Sequence, residues 1–450
     1  MLSSKITFYL SLFIAFIAYV GIAFFIPREE VYTFFTLYFV LFGTYLFQIG
    51  KAFQTNRFVP LLIFGIAARV IFLYSEPLLS NDYFRFIWDG RLFLNGLNPY
   101  LRTPVELMEN SPGIFSDMPL LFEGMGNLSQ ANFTCYPPLN QLVFSAATFV
   151  FPDSIMANIF SMKLLILLAE IGTMYFGMKI LQLLGKNIHC ILFYSLNPFI
   201  IIELTGNIHW EGLMVFFLIV SLYYLLSNKM VVAGLFMAMA ISMKLIPIVF
   251  LPFLLRKYPL KQLLVFYGSV LFFFVCSYIP FLRGQAFGNI IKTITLYFDH
   301  FEFNASIFYL VREIGFHVKG WNIIRTAGPV LTLISGIIIW YIALKKENKE
   351  WDKILKNMLF GLSIYFFFAT TVHPWYISTL LILSVLTGYR YVVVWTGLIM
   401  LSYFTYSIEG FKENLYLTSI QYIIVFGFFF RELITGPLKD DWYVGKWIRR

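Results

Sequence analysis

The 450-residue sequence predicts an all-α fold: a polytopic transmembrane helical bundle of about 11–13 spans with an amphipathic helix in its first large outer loop. Three observations carry that expectation. Hydrophobic residues make up 59% of the chain and charged residues 13%, about half the charge of a soluble globular protein. Aromatic residues reach 20%, with 53 Phe, 28 Tyr and 9 Trp, a content suited to interfacial belts. Uncharged apolar runs close to the ~20 residues needed to cross a bilayer recur along the whole length. Disorder, collagen and coiled coil are excluded by the same composition. The cysteines, Cys135, Cys190 and Cys276, are odd in number and lack C-x-x-C spacing, which speaks against a disulfide framework or a zinc site. A net charge of +9 takes a membrane explanation, with no nucleic-acid partner.

In order, the candidate spans are 6–26, 31–50, 58–75, 157–184, 188–204, 211–228, 230–255, 261–282, 321–344, 355–372, 375–389, 391–407 and 416–432. The first is too long for a secretory signal and is followed by further spans. No repeat, low-complexity tract or soluble domain interrupts them, so residues 1–450 read as one membrane domain. The most basic short segments are 51–57, 256–261, 345–349 and 446–450, and positive residues stay on the cytoplasmic side. Placing all four inside puts 76–136, 283–320 and the turn at His373-Pro374 on the outer face, periplasmic or lumenal.

Two segments stay open. The run 137–151 is short and holds Asn140 and Gln141, and 230–255 is broken by Pro247 and Pro252. By parity both span or neither does; if neither does, Gly206-Asn207-Ile208-His209-Trp210-Glu211 faces outward. Irregular backbone at membrane depth is tolerated where it lines a cavity or is packed in protein, so these breaks mark a candidate site.

The outer segment 80–100 reads as a helix starting near Ser80 or Asn81 and stopped by Gly96 and Asn98-Pro99. Asp82, Arg85 and Asp89 fall on one polar stripe at i, i+3 and i+7, leaving Phe84, Ile87, Trp88 and Phe93 for an interfacial or packed face, as in an amphipathic helix lying at the membrane surface. On spacing alone the stripe is a solvated face with one weak ion pair. Its position directly after a span changes the weighing, because a carboxylate there can act as general base on the hydroxyl of a membrane-bound acceptor.

Charges inside spans cost several kcal/mol on insertion scales and so carry weight. Lys163 and Glu170 lie two turns apart on one run, where they pair through an intermediate partner, snorkel, or take a functional role. Lys244 sits beside the proposed break, a position suited to a lipid phosphate. Glu203, His209 and Glu211 flank the Gly206-Asn207 turn; they form a weak ligand set for a divalent metal and read better as the wall of a polar pocket. His373-Pro374-Trp375-Tyr376 stands at an outer turn where Trp and Tyr are ordinary belt residues and the His is not. Arg283, Lys292, Asp299, His300, Glu302, Arg312 and Glu313 in 283–320 read as a solvated set. Walker-type, G-x-S-x-G and H-E-x-x-H motifs are absent, leaving nucleotide hydrolysis, serine hydrolysis and zinc proteolysis without support.

Taken in series, Asn81 to Gly90, Gly96 to Tyr100, Tyr136-Pro137-Pro138-Leu139, Asn197-Pro198, Gly206 to Glu211, Lys244 to Pro247 and His373 to Tyr376 resemble the GT-C superfamily of integral-membrane glycosyltransferases. They look most like its polyprenol-phosphate-mannose-dependent branch. The resemblance implies inverting transfer of a hexose, mannose in the first place, from a polyprenyl-phosphate sugar donor to the hydroxyl of a membrane-bound acceptor glycan or glycolipid at the outer face. By motif match the catalytic residues are Asp82 as base and Asp89 as second carboxylate. Arg85, Lys244 and His373 are donor phosphate ligands, and Tyr136, Asn207, His209, Glu211, Trp375 and Tyr376 line the substrate pocket. The glycosylphosphatidylinositol branch carries Asp-x-Asp-Tyr where this chain has Ser80-Asn81-Asp82-Tyr83, which leaves metal dependence and acceptor identity open. No cofactor is assigned. Residues 1–57 stand ahead of the motif-bearing part as added helices. A transporter or flippase of lipid-linked sugars is the competing reading, motivated by the broken helices and by Lys163 and Glu170, but no paired broken segments appear in two halves of the chain. A purely structural scaffold fits poorly with so many ionisable groups inside spans.

Overall fold

A computed structural model describes residues 2–55, 57–407 and 411–437. The basic tail 446–450 therefore lies outside the described residues. Helices dominate: α1 (Leu2–Phe24), α2 (Val31–Gln54), α3 (Phe58–Leu73), α4 (Asp82–Leu94), α5 (Pro104–Asn110), α6 (Met118–Gly124), α7 (Gly126–Ala131), α8 (Pro138–Phe149) and α9 (Ile155–Leu183). A bent stretch follows, made of a 3₁₀ turn (Ile188–Ile191), α10 (Leu192–Ser195), α11 (Pro198–Ile200) and a π-helical turn (Ile201–Gly206). Then come α12 (Glu211–Leu226), α13 (Met230–Met243), a 3₁₀ helix (Ile246–Leu254), α14 (Leu260–Tyr278), α15 (Ala286–His300), α16 (Ile307–Lys319) and α17 (Ile324–Ala343). The chain closes with α18 (Trp351–Phe368), α19 (Ile377–Thr387), α20 (Tyr391–Leu398) continued by a 3₁₀ helix (Ile399–Ser407), and α21 (Leu415–Thr435). The all-α polytopic bundle read from the sequence is the architecture observed. Among the described residues, six helices are long and apolar enough to cross a membrane: Lys5–Phe24, Val31–Gln54, Ile155–Leu183, Leu260–Phe281, Ile324–Ala343 and Leu415–Thr435. The stretch from Ile188 to Gly206 passes the same test as one element bent by 51°. Five further helices among the described residues are apolar but shorter.

Local sequence explains the element ends. The Ser154 hydroxyl accepts from the Ala157 amide to start α9, and Thr103 with Glu106 forms a capping box on α5. Pro138 and Pro198 occupy first-turn positions where a missing N–H costs nothing. The stop predicted for α4 is observed, with Asn95 at its end and Gly96 following at φ +76°.

The bundle has two chemically distinct ends. One gathers Lys186, whose ammonium lies 2.6 Å from Asp352, Lys257, which donates to the Lys349 carbonyl at 2.7 Å, and Arg390, whose amide meets the Glu432 carboxylate at 2.9 Å. The basic segments 256–261 and 345–349 therefore share one end, as the charge pattern requires. A large cavity opens at the other.

The two open segments are resolved by their contacts. Tyr258 donates to the Leu225 carbonyl at 2.6 Å, so the last turn of α12 and the loop after residue 254 lie together at the basic end. Glu211, at the first turn of α12, pairs with Lys244 at the cavity. The run 230–255 is thus a hairpin, α13 rising and the 3₁₀ helix returning, with Lys244 at its apex in extended backbone. The two arms match in reach: 14 α-helical residues and 9 3₁₀ residues each cover about 20 Å. Helix α8 is 12 residues long, about 18 Å, and starts at the cavity. Lys163, early in α9, donates to the Phe72 and Ser75 carbonyls at 2.9 and 2.8 Å on the same side, so α8 does not cross either. By these contacts neither segment carries the chain from one end of the bundle to the other, and His209, Trp210 and Glu211 line the cavity.

Two sequence-based expectations are corrected here. The Asp82–Arg85–Asp89 stripe is not a solvated face of a helix lying on the membrane: Arg85 and Asp89 are buried, and so are Phe86, Ile87 and Trp88. Helices α6 and α7 cover α4 from outside. Asn81 donates to the Gly124 carbonyl at 3.0 Å, and Trp88 packs edge-on to Phe115. From inside α8 closes on Gly90, where a Cβ would stand 2.6 Å from the Phe144 carbonyl oxygen. Nor do Lys163 and Glu170 share a partner. Lys163 neutralises the carbonyl end of α3, where helix dipoles favour a cation. Glu170 takes Arg69 at 2.9 Å and the Thr205 hydroxyl, while Arg69 also donates to the Ser195 carbonyl at 2.7 Å. A buried charge is tolerated when paired and hydrogen-bonded, and this group locks α3, α9 and the π-helical turn together.

Candidate active site at the end away from the basic loops

The cavity measures about 780 Å³, large enough for a sugar with its flanking groups. Among the chain segments that converge on it are the start of α4, the loop 134–138, the turn 209–211, the hairpin apex at Lys244 and the segment 371–376. Asp82, Arg85, Tyr136, His209, Glu211, Lys244, His373, Trp375 and Tyr376, all picked from sequence, line it. Two others do not. Asn207 is buried without lining the cavity, and Asp89 is withdrawn behind Arg85, accepting from its Nε at 2.8 Å and from Gln141 at 3.3 Å.

Asp82 is the first residue of α4 and only partly buried, open to the cavity. Burial lifts its carboxyl above the usual range, a push that the nearby His209 and Lys244 oppose. A carboxylate raised in this way is a better proton acceptor at neutral pH. Arg85 is not a free cation: besides Asp89 it donates to the Ser129 and Asn132 carbonyls at 2.5 and 3.1 Å, so it ties the covering loop to α4 while keeping its flank in the cavity wall. Lys244 pairs with Glu211 and lies 4.2 Å from the Tyr376 ring centroid. Its side chain is 30% exposed, and the ammonium remains able to meet an anion.

His373 is expected to be a phosphate ligand, and the structure restricts the form that role can take. Burial, with Lys244 and His209 nearby, pushes its imidazole down to about 3, so it is neutral at physiological pH and can meet a phosphate only through a ring N–H. Trp375 stacks with both His209 (3.7 Å, 20°) and His373 (4.6 Å, 4°). It is therefore an internal part of the site and not a belt residue. Phe303 carries the stack on from His373 at 5.0 Å.

The set Glu203, His209 and Glu211 does not converge. Glu203 meets His209 Nδ1 at 3.1 Å, and Glu211 faces Lys244. Among the described residues no group of three His, Cys, Asp or Glu side chains is placed to hold a metal. In the loop 283–320 the solvated reading is corrected for Arg312, which pairs with Glu302 at 2.6 Å in a partly buried contact. The side chains of Asp299 and His300 lie outside the described set.

Sequence reading passed over Arg28, Tyr278, Tyr365 and Tyr406, all on the cavity wall. Arg28 had a signal, as a cation in the short Pro27-Arg28-Glu29-Glu30 loop, but treating the first two helices as an addition hid it. Its guanidinium lies 4.9 Å from the Tyr406 ring centroid.

A family model described as the N-terminal domain of alpha-(1->6)-mannopyranosyltransferase matches residues 39–257. The chain resembles the GT-C membrane mannosyltransferases. The alpha-(1->6)-mannopyranosyltransferase A of Corynebacterium glutamicum is 27% identical over 182 residues, which make up 40% of this chain and 35% of that relative. The aligned stretch thus spans about a third of the relative's length. The family match holds Asp82, Arg85, Tyr136, His209, Glu211 and Lys244, while His373, Trp375 and Tyr376 reach the same cavity from beyond it.

Proposed function

We propose that the protein is a membrane mannosyltransferase that moves a mannosyl residue, with inversion, from a polyprenyl-phosphate donor to the hydroxyl of a membrane-bound glycan or glycolipid. The observation that carries the reading is that the Asp82 carboxylate and the Lys244 ammonium, from distant segments, line one cavity. The family match and the mannosyltransferase relative support the sugar, and the resemblance supports the donor class. The basic loops support a cytoplasmic position for their end of the bundle, and on that reading the cavity takes its substrates from the periplasmic or lumenal side.

Asp82 removes the proton of the acceptor hydroxyl as its oxygen attacks the anomeric carbon, and the carbon–oxygen bond to phosphate breaks. The departing phosphate carries the charge away. Lys244 and Arg28 stabilise that developing charge, and His373 adds an N–H donor; one well-placed donor is worth about 3 kcal/mol in such sites. Only one carboxylate takes part, with Asp89 holding Arg85 in place. Labelled mannose supplied on a polyprenyl phosphate to membranes containing wild type or Asp82→Asn tests this, with and without chelator. Lipid-extractable product from wild type alone supports the reading. Full activity of Asp82→Asn removes the base assignment, and counterflow of intact donor without a covalent product supports the transporter instead.

A further inference from the structure

His209 Nδ1 lies 2.8 Å from the backbone carbonyl oxygen of Glu203 and 3.1 Å from its carboxylate. A carbonyl oxygen only accepts, so Nδ1 carries a proton, and in the tautomer this fixes Nε2 is the nitrogen that keeps a lone pair. That nitrogen is buried and has no hydrogen-bond partner in the protein, although His209, only 3% exposed, belongs to the cavity wall. A buried acceptor left unpaired costs stability unless something in the cavity donates to it.

The ring has no freedom to find another partner. It stacks on Trp375, and its backbone amide donates to the Leu204 carbonyl at 3.1 Å, just past Ile208 at φ +58°. Strained backbone of this kind persists where its surroundings over-determine it, and here it aims one imidazole. Two imidazoles occupy the stacking surface of Trp375, so the indole orients the histidines in preference to receiving a pyranose face. Asp82, Glu211 and Lys244 share the cavity wall with His209, and none of them hydrogen-bonds its Nε2.

We infer that His209, with its tautomer set by Glu203, is a specificity residue whose Nε2 accepts a hydrogen bond from one non-reacting hydroxyl of the hexose in the cavity. The ligand class is a neutral polyhydroxylated ring, since an O–H is the donor that restores Nε2 without adding charge. This rests on the transferase reading above. A site built to accept a substrate hydroxyl rejects the analogue lacking it, because the buried acceptor is then left unpaired.

The test measures kcat/KM of purified wild type, His209→Ala and His209→Gln on polyprenyl-phosphate mannose and on its singly deoxygenated versions, with elution from a sizing column as a check on folding. Wild type is expected to lose about tenfold to a hundredfold on one deoxy donor, the cost of one buried acceptor left unpaired. His209→Ala should lose a similar factor on the parent and nothing further on that analogue. His209→Gln, whose amide oxygen can stand near the position of Nε2, should recover part of the parent rate. Equal penalties for His209→Ala on every donor, with the protein folded, overturn the inference while leaving the transferase reading standing. Absence of product from wild type on the parent donor overturns both.

Discussion

Lys244 and Glu211 form an ion pair across the cavity wall between the apex of the α13 hairpin and the first turn of α12. The cation is held by the carboxylate of a side chain that is only 3% exposed. Binding of a donor phosphate would compete for the same ammonium.

Removal of either partner should therefore separate binding from stability. Lys244→Ala leaves Glu211 buried without its cation and is expected to lose about 1–2 kcal/mol of stability, a figure reduced because the Lys244 side chain is partly exposed. Transfer should fall about a hundredfold, as for loss of one charge-stabilising donor. The double variant Lys244→Met with Glu211→Leu should recover the unfolding midpoint in detergent but not the transfer rate.

Asp82→Asn should remove transfer by about 10²–10⁴-fold and leave the fold intact. Because burial raises the folded pKa of Asp82, the folded state binds its proton more tightly than the unfolded chain does. Between the unfolded and folded values the contribution of Asp82 to stability then falls as pH rises, so at neutral pH the charged side chain is destabilising. The Asn variant should unfold no lower than wild type at pH 7, and the transfer rate of wild type should climb through an acidic limb displaced above the ordinary carboxylate range.

His373, held down to about 3, does not titrate between pH 5 and 8. His373→Asn is accordingly expected to lower kcat/KM about tenfold while leaving the shape of the pH–rate profile in that window unchanged. A lost or moved limb in this variant would show a charged imidazole at work.

The buried Arg69–Glu170 pair is predicted to act on the fold alone. Either single change, Arg69→Met or Glu170→Gln, should cost about 3–5 kcal/mol by stranding the other charge, whereas Arg69→Met with Glu170→Leu should regain most of it. Detergent extraction and unfolding midpoint report this directly.

Gly90→Ala tests the α4–α8 approach. Its Cβ would meet backbone on the facing helix, which cannot turn aside as a side chain can. A loss of about 1–3 kcal/mol and a displaced Asp82, seen as a drop in kcat beyond the loss of folded protein, are expected.

Much of this was legible in one dimension. The class of fold followed from the length and lack of charge of the apolar runs, because the bilayer sets a minimum span and leaves backbone groups no partners outside a helix. The reach of α4 followed from Asn81 and Gly96, and the breaks at Gly206 and Lys244 from turn residues and prolines, all signals that act within a few residues. The same local signals could not tell a span from a hairpin, since α13 and its 3₁₀ return differ from a crossing helix only in where Arg256 ends up. Nor could they foresee that Asp89 serves Arg85, that Arg69 answers Glu170, or that Trp375 joins His209 to His373, partners separated by up to 166 residues. Those pairings depend on which charges and rings the packed bundle deprives of water, and burial of that kind is a property of the assembled chain.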